Sequence, residues 1–157
     1  MHDLDAILAL AKRHCTISVK GVHGVAHWQR VRENGQRVAE GSGANLEVVE
    51  LFAYLHDCCR VNDWLDPRHG PRAADYAETL RGTAIQLEDD AFDLLYEAIH
   101  DHTSGHHHDD VTIGTCWDAD RLDIGRVGKR PNRKYLSTAA AKDEAVMTWA
   151  YQRSLGR

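Results

Sequence analysis

The apolar run Leu51-Phe52-Ala53-Tyr54-Leu55 leads directly into His56-Asp57. An imidazole and a carboxylate buried side by side are costly unless each finds a partner, and one divalent cation can serve both. Consecutive helical residues point about 100° apart, so these two side chains converge on one ion only near a helix end. Elsewhere, His27 opens a second helical pattern, and an amphipathic segment from Thr115 to Asp123 carries Asp118, Asp120 and Asp123. His27, His56, Asp57 and Asp120 together make a mixed nitrogen and oxygen set. That set suits Mn²⁺, Fe²⁺, Co²⁺, Ni²⁺ or Zn²⁺, and Mg²⁺ less well. Residue types alone leave Asp118 and Asp123 in competition with Asp120. Asp123 falls almost one turn beyond Asp120, on a similar side. A centre of this composition with positions left open to water would be catalytic, because a bound water ionises near neutral pH.

Other residues fall near these positions. His23 precedes His27 by four, but Gly24 between them argues that the helix has hardly begun. Arg30, one turn after His27, is placed to hold Asp57 or a phosphate oxygen. Arg60 and Asp63 follow the doublet closely and are read as lining the site. Trp64, in the same loop, is the candidate for stacking on a base. His102 opens a loop rich in histidine and aspartate and can approach the site. The tract His106-His107-His108 reads as a solvated loop that binds metal only incidentally. The basic residues Arg126, Arg130, Arg133 and Lys134 lie in a loop that either attracts an anionic substrate as a lid or is simply solvated.

These positions need a scaffold, and the periodicity supplies a helical one. Helices are expected over 3–13, 25–40, from Asn45 through the doublet, from Pro71 to a stop at Gly82, over 88–100, over 115–124 and over 138–153. Asn45 is the expected cap of the third. Residues 58–70, 101–114 and 126–134 read as loops. No alternating strand pattern of useful length appears. The expected fold class is all-α, an irregular helical bundle of six to seven helices in one domain over 1–157, with no internal repeat.

Composition narrows the function classes. A chain of 157 residues with 43% apolar content suits a folded domain rather than disorder. The four cysteines form no C-x-x-C pair, so free buried thiols are expected. No apolar run spans a membrane, and the N-terminus is acidic where a secretion signal is basic. A cytoplasmic protein without membrane association is the expectation. A net charge of −5 argues against a general nucleic-acid binder. Eleven histidines are the compositional outlier.

The ordered set His27, His56-Asp57 and Asp120 on helices resembles the HD-domain superfamily of metal-dependent phosphohydrolases. His27-Trp28-Gln29-Arg30-Val31 resembles the family's first histidine followed by Arg-Val. Leu55-His56-Asp57 matches the signature doublet, and Asp120 matches the late aspartate. His69-Gly70-Pro71-Arg72-Ala73-Ala74 and Ala98-Ile99-His100 resemble further histidine positions. The likeness covers about 23–126, followed by the C-terminal helix at about 138–153. It selects Asp120 over its neighbours as the fourth ligand. It implies hydrolysis of a phosphate ester or anhydride by a metal-activated water, on a nucleotide or small phosphorylated metabolite. With one metal it implies that His69 and His100 contact the substrate; placement near the motif adds Arg30 and Trp64 as substrate contacts and puts Arg30, Arg60 and Asp63 beside Asp57 in catalysis. One ion is expected; a second would rest on His69 and His100, with Asp57 bridging both. The residues distinctive of cyclic-di-GMP phosphodiesterases are missing, so that activity is not expected. A non-catalytic metal or nucleotide sensor on the same fold is the alternative, and an RNA-associated factor using the basic loop a weaker one.

Overall fold

A computed structural model describes residues 1–157. Seven α-helices follow one another without a strand: α1 Leu4–His14, α2 Val25–Ser42, α3 Leu46–Leu55, α4 His69–Leu80, α5 Asp89–Asp101, α6 Val111–Leu122 and α7 Glu144–Ser154. Short 3₁₀ turns at Ile124–Val127 and Arg133–Tyr135 bridge α6 and α7. The all-α expectation holds, and no helix is long and apolar enough to cross a membrane. All four thiols are free.

Helix α3 is the axis of the bundle. The Asn45 side chain accepts from Val48 N at 3.3 Å and starts it. Almost every residue after its first turn is apolar, so it is buried all round, with Leu51, Phe52 and Leu55 wholly enclosed. Each such side chain contributes about 1.5–3 kcal/mol through burial. Helices α2, α5 and α6 pack around it.

Glycines set two of these crossings. A Cβ on Gly35 of α2 would meet Val49 Cγ1 of α3 at 2.4 Å and Ala119 Cβ of α6 at 3.5 Å. The residue that weakens α2 in isolation is therefore what lets three helices close on one another. Gly70 of α4 meets backbone rather than a side chain: a Cβ there would lie 2.6 Å from the His100 carbonyl oxygen and 2.9 Å from that of Ile99. Helices α4 and α5 thus touch backbone to backbone.

Two helix starts differ from the sequence expectation by four residues or more. Helix α6 begins at Val111 rather than Thr115, because Asp110 caps it by accepting from Thr112 N at 2.8 Å and Ile113 N at 3.0 Å. Helix α7 begins at Glu144 rather than 138, where Asp143 caps Ala145 N at 2.8 Å. The residues ahead of it are held otherwise: Asp118 accepts from Ser137 N at 2.7 Å, Thr138 N at 2.8 Å and the Thr138 hydroxyl at 2.7 Å. Burial nevertheless raises the Asp118 pKa, these bonds opposing it only in part.

Candidate metal centre

Five helices deliver histidine and aspartate to one buried point. His27 lies in the first turn of α2, and His56-Asp57 ends α3. Asp120 comes from the last turn of α6, and His69 opens α4. The sixth residue is His102, just past the end of α5. His27, His56, Asp57, His69 and His102 are all buried.

Asp57 divides the cluster in two. Its Oδ2 lies 3.4 Å from His27 Nε2 and 3.5 Å from His56 Nε2. Those two nitrogens are 3.2 Å apart. Asp120 Oδ1 reaches the same pair, at 3.2 Å and 3.6 Å. On the other side, Asp57 Oδ1 lies 3.1 Å from His69 Nε2 and 3.6 Å from His102 Nε2, themselves 2.9 Å apart. Ligands bound at about 2.1 Å are about 3.0 Å apart in an octahedron and about 3.4 Å apart in a tetrahedron. The observed separations fall around these edges, so both groups, His27-His56-Asp57 with Asp120 and Asp57-His69-His102, fit a divalent ion.

The outer nitrogens explain why the inner ones face one another. His27 Nδ1 is 2.7 Å from Asp123 Oδ2. His56 Nδ1 is 3.0 Å from the Ala53 carbonyl oxygen and 3.2 Å from that of Phe52. His69 Nδ1 is 2.5 Å from Asp66 O, and His102 Nδ1 is 2.7 Å from Ile99 O. Each acceptor fixes the proton on Nδ1 and turns the Nε2 lone pair inward, the arrangement that orients histidines toward a metal. Two such lone pairs face to face repel unless a cation or a proton lies between them.

Protonation follows the same logic. Burial and the Arg126 charge push the His27 pKa down, but hydrogen bonds to Asp120, Asp123 and Asp57 outweigh them and raise it to about 9. Burial pushes Asp57 up, yet the His56 charge and hydrogen bonds from His102, His23 and His27 hold it well below the usual carboxylate range. For Asp120, burial is likewise outweighed by His27, His56 and Arg126.

Around the cluster, Arg30 grips Asp123 with Nε at 2.7 Å and an Nη at 3.2 Å. Arg30 therefore supports His27 through Asp123, rather than holding Asp57. Arg60 Nε donates to Asp57 Oδ1 at 3.2 Å and ties the following loop through the Asn62 and Trp64 carbonyls. His23 Nδ1 sits 3.2 Å from Asp57 Oδ2. A 220 Å³ cavity opens over the cluster, lined by Asp57, Asp120, His69, His102, Thr103, Arg60, Arg121 and Arg126.

The sequence-derived set is thus gathered in part. His27, His56, Asp57, Asp120, His69 and Arg60 meet. His100 does not: its Nδ1 pairs with Asp101 at 2.7 Å and its ring stacks on Tyr96, leaving His102 in the place proposed for it. Trp64 is 84% exposed and Asp63 faces Gly21; neither lines the cavity. Arg126 is pinned to the Val22 and Asp123 carbonyls at 3.0 and 2.9 Å, so it is not part of a free lid. Asp123 as a support for His27 and Asp66 as a support for His69 were not foreseen in those roles. The sign available for Asp66 was its place just before Pro67 and the start of α4.

No family model, curated protein or solved structure matches this chain.

Proposed function

We propose that this chain is an HD-type metal-dependent phosphohydrolase acting on a nucleotide or another small phosphorylated compound. The observation that carries the reading is the shared orientation of four imidazoles. Each is clamped at Nδ1 and presents Nε2 to a single bridging carboxylate, Asp57. His27, His56, Asp57 and Asp120 would hold one divalent ion, and Asp57, His69 and His102 a second. Bound there, such ions polarise a phosphoryl oxygen, offset transition-state charge and acidify water.

The remaining work falls to side chains of the chain itself. Arg60 fixes the Asp57 carboxylate from outside and fills its remaining lone-pair direction. Asp123, gripped by Arg30, keeps the His27 ring from rotating. Arg60, Arg121 and Arg126 give the cavity wall positive charge suited to a phosphate. Thr103, with its hydroxyl 3.4 Å from His69 Nε2, offers a neutral hydrogen-bonding group on the same wall. The cavity's small size admits a phosphoryl group and leaves the rest of a substrate outside.

The test is a panel of phosphomonoesters and diesters with Mn²⁺, Fe²⁺, Co²⁺, Ni²⁺, Zn²⁺ or Mg²⁺ added, run beside Asp57→Ala. Turnover that needs an added ion and falls by roughly three orders of magnitude in the variant is expected, the several kcal/mol a metal contributes. Ion binding without turnover of any ester would leave a sensor in its place.

A further inference from the structure

Three cavities lie in series from the cluster outward. The first is the 220 Å³ chamber over Asp57. Arg121 is a wall shared with a second, of 490 Å³, where Lys129, Arg130, Tyr135 and Ile124 also face the space. Arg130, Pro131 and Asn132 form a rib between the second and a third of 450 Å³, whose far side carries Arg133, Tyr151 and one carboxylate, Glu144. Both outer depressions open to solvent and fall within the range of about 300–1,000 Å³ that ligand pockets occupy.

Charge is concentrated along this path although the chain as a whole carries −5. Arg121, Arg126, Lys129, Arg130, Arg133 and Lys134 fall within fourteen residues that include one acid, Asp123, which is buried and already engaged by Arg30 and His27. Lys129, Arg130, Arg133 and Lys134 have no carboxylate within the 4.0 Å of an ion pair. Among them stands Tyr135, 55% exposed, while Tyr151 already has Arg130 over its ring at 4.6 Å. A cluster of cations beside one exposed ring, Tyr135, suits a single strand of nucleic acid, with phosphates on the cations and a base on the ring. A mononucleotide would leave the cations beyond the first chamber without a partner.

Resting on the hydrolase reading above, we propose that the reacting phosphate belongs to the end of a short single-stranded oligonucleotide, whose following residues lie along 129–135. The reaction is hydrolysis of a phosphodiester. Water oxygen bonds to phosphorus, the bond from phosphorus to the leaving sugar oxygen breaks, and that oxygen takes up a proton. The products are a phosphate-ended fragment and a hydroxyl-ended one, and no other reactant is needed.

The experiment compares kcat/KM of the Mn²⁺-loaded full chain on a fluorescein-labelled trinucleotide, on the labelled dinucleotide and on bis(p-nitrophenyl) phosphate. The trinucleotide is expected to lead. The ratio of its kcat/KM to that of the nitrophenyl diester should fall roughly tenfold in the Lys129→Ala/Arg130→Ala chain and in Tyr135→Ala, with Tyr135→Phe restoring it, as loss of one stacked base and its phosphate contact would give. Equal handling of trinucleotide and dinucleotide, or a ratio the variants leave alone, overturns the proposal. If no ion supports turnover of any monoester or diester in the panel above, the hydrolase reading has failed, and fluorescence anisotropy of the trinucleotide decides the groove separately. Its affinity should then fall with salt at a log–log slope of about −1.4, two phosphates' worth, made shallower by the double variant. A slope near zero, or one the variant does not change, overturns the groove as well.

Discussion

Loading the centre with metal must expel a proton, and His27 is its source. In the metal-free protein its pKa is raised to about 9, because Asp120, Asp123 and Asp57 surround it in a buried site. An ordinary histidine titrates near 6.5. At pH 7.5 an ordinary ligand would be about nine-tenths deprotonated and release about 0.1 proton on metal binding, whereas His27 is almost fully protonated and releases nearly one. Ion affinity should accordingly drop about tenfold, or about 1.4 kcal/mol, for each pH unit between 9 and about 6.5. The assay is calorimetric titration of Mn²⁺ into chelator-treated protein at pH 7.5, in buffers of different ionisation enthalpy. The slope of apparent enthalpy against buffer enthalpy counts protons. Running His27→Gln in parallel removes the imidazole's share and leaves any proton lost by water. A wild-type count no higher than that of His27→Gln, or an affinity flat between pH 6.5 and 8.5, would refute the reasoning.

Further outcomes follow from the same geometry. The raised His27 pKa contributes stability to the metal-free fold that is complete below about 6.5 and lost as pH climbs through about 9, at most about 3 kcal/mol. The lowered Asp57 and Asp120 pKa values contribute stability present above the ordinary carboxylate range and lost on acidification. Thermal melts of the metal-free chain should therefore peak between about pH 4.5 and 6.5, and a higher Tm at pH 9 than at pH 6 would contradict the assignment. Gly35→Ala should lower stability by about 1–3 kcal/mol in denaturant melts, since the added methyl meets Val49; an unchanged midpoint would mean that α2 and α3 part easily. His102→Ala should reduce ion stoichiometry from two to one by equilibrium dialysis, whereas His100→Ala should leave it intact; the reverse order would restore His100 to the site.

Much of the scaffold is legible because apolar spacing and caps act locally. Leu95 and Ile99 repeat on one stripe of α5, and the capped Asn45 start of α3 depends on neighbours alone. The late start of α7 is not local: Thr138 is drawn away by Asp118, which lies 20 residues earlier. The exchange of His100 for His102 was readable in principle. His102 stands three after buried Ile99 and seven after buried Leu95, so it continues the inward stripe, whereas His100 follows Tyr96 around the outer side. The Arg30–Asp123 support was not readable, because 93 residues separate the pair and only the packing of α2 against α6 joins them.

The contact at Gly70 has a mechanical meaning. With two main chains pressed together beside His69, and His102 one turn beyond that contact, the gap between these imidazoles is gauged by peptide groups, which cannot change rotamer. The jaw they form is stiff, so an ion of the wrong radius has to distort its own shell rather than the protein. Adding even one methyl to Gly70 would prise that jaw open.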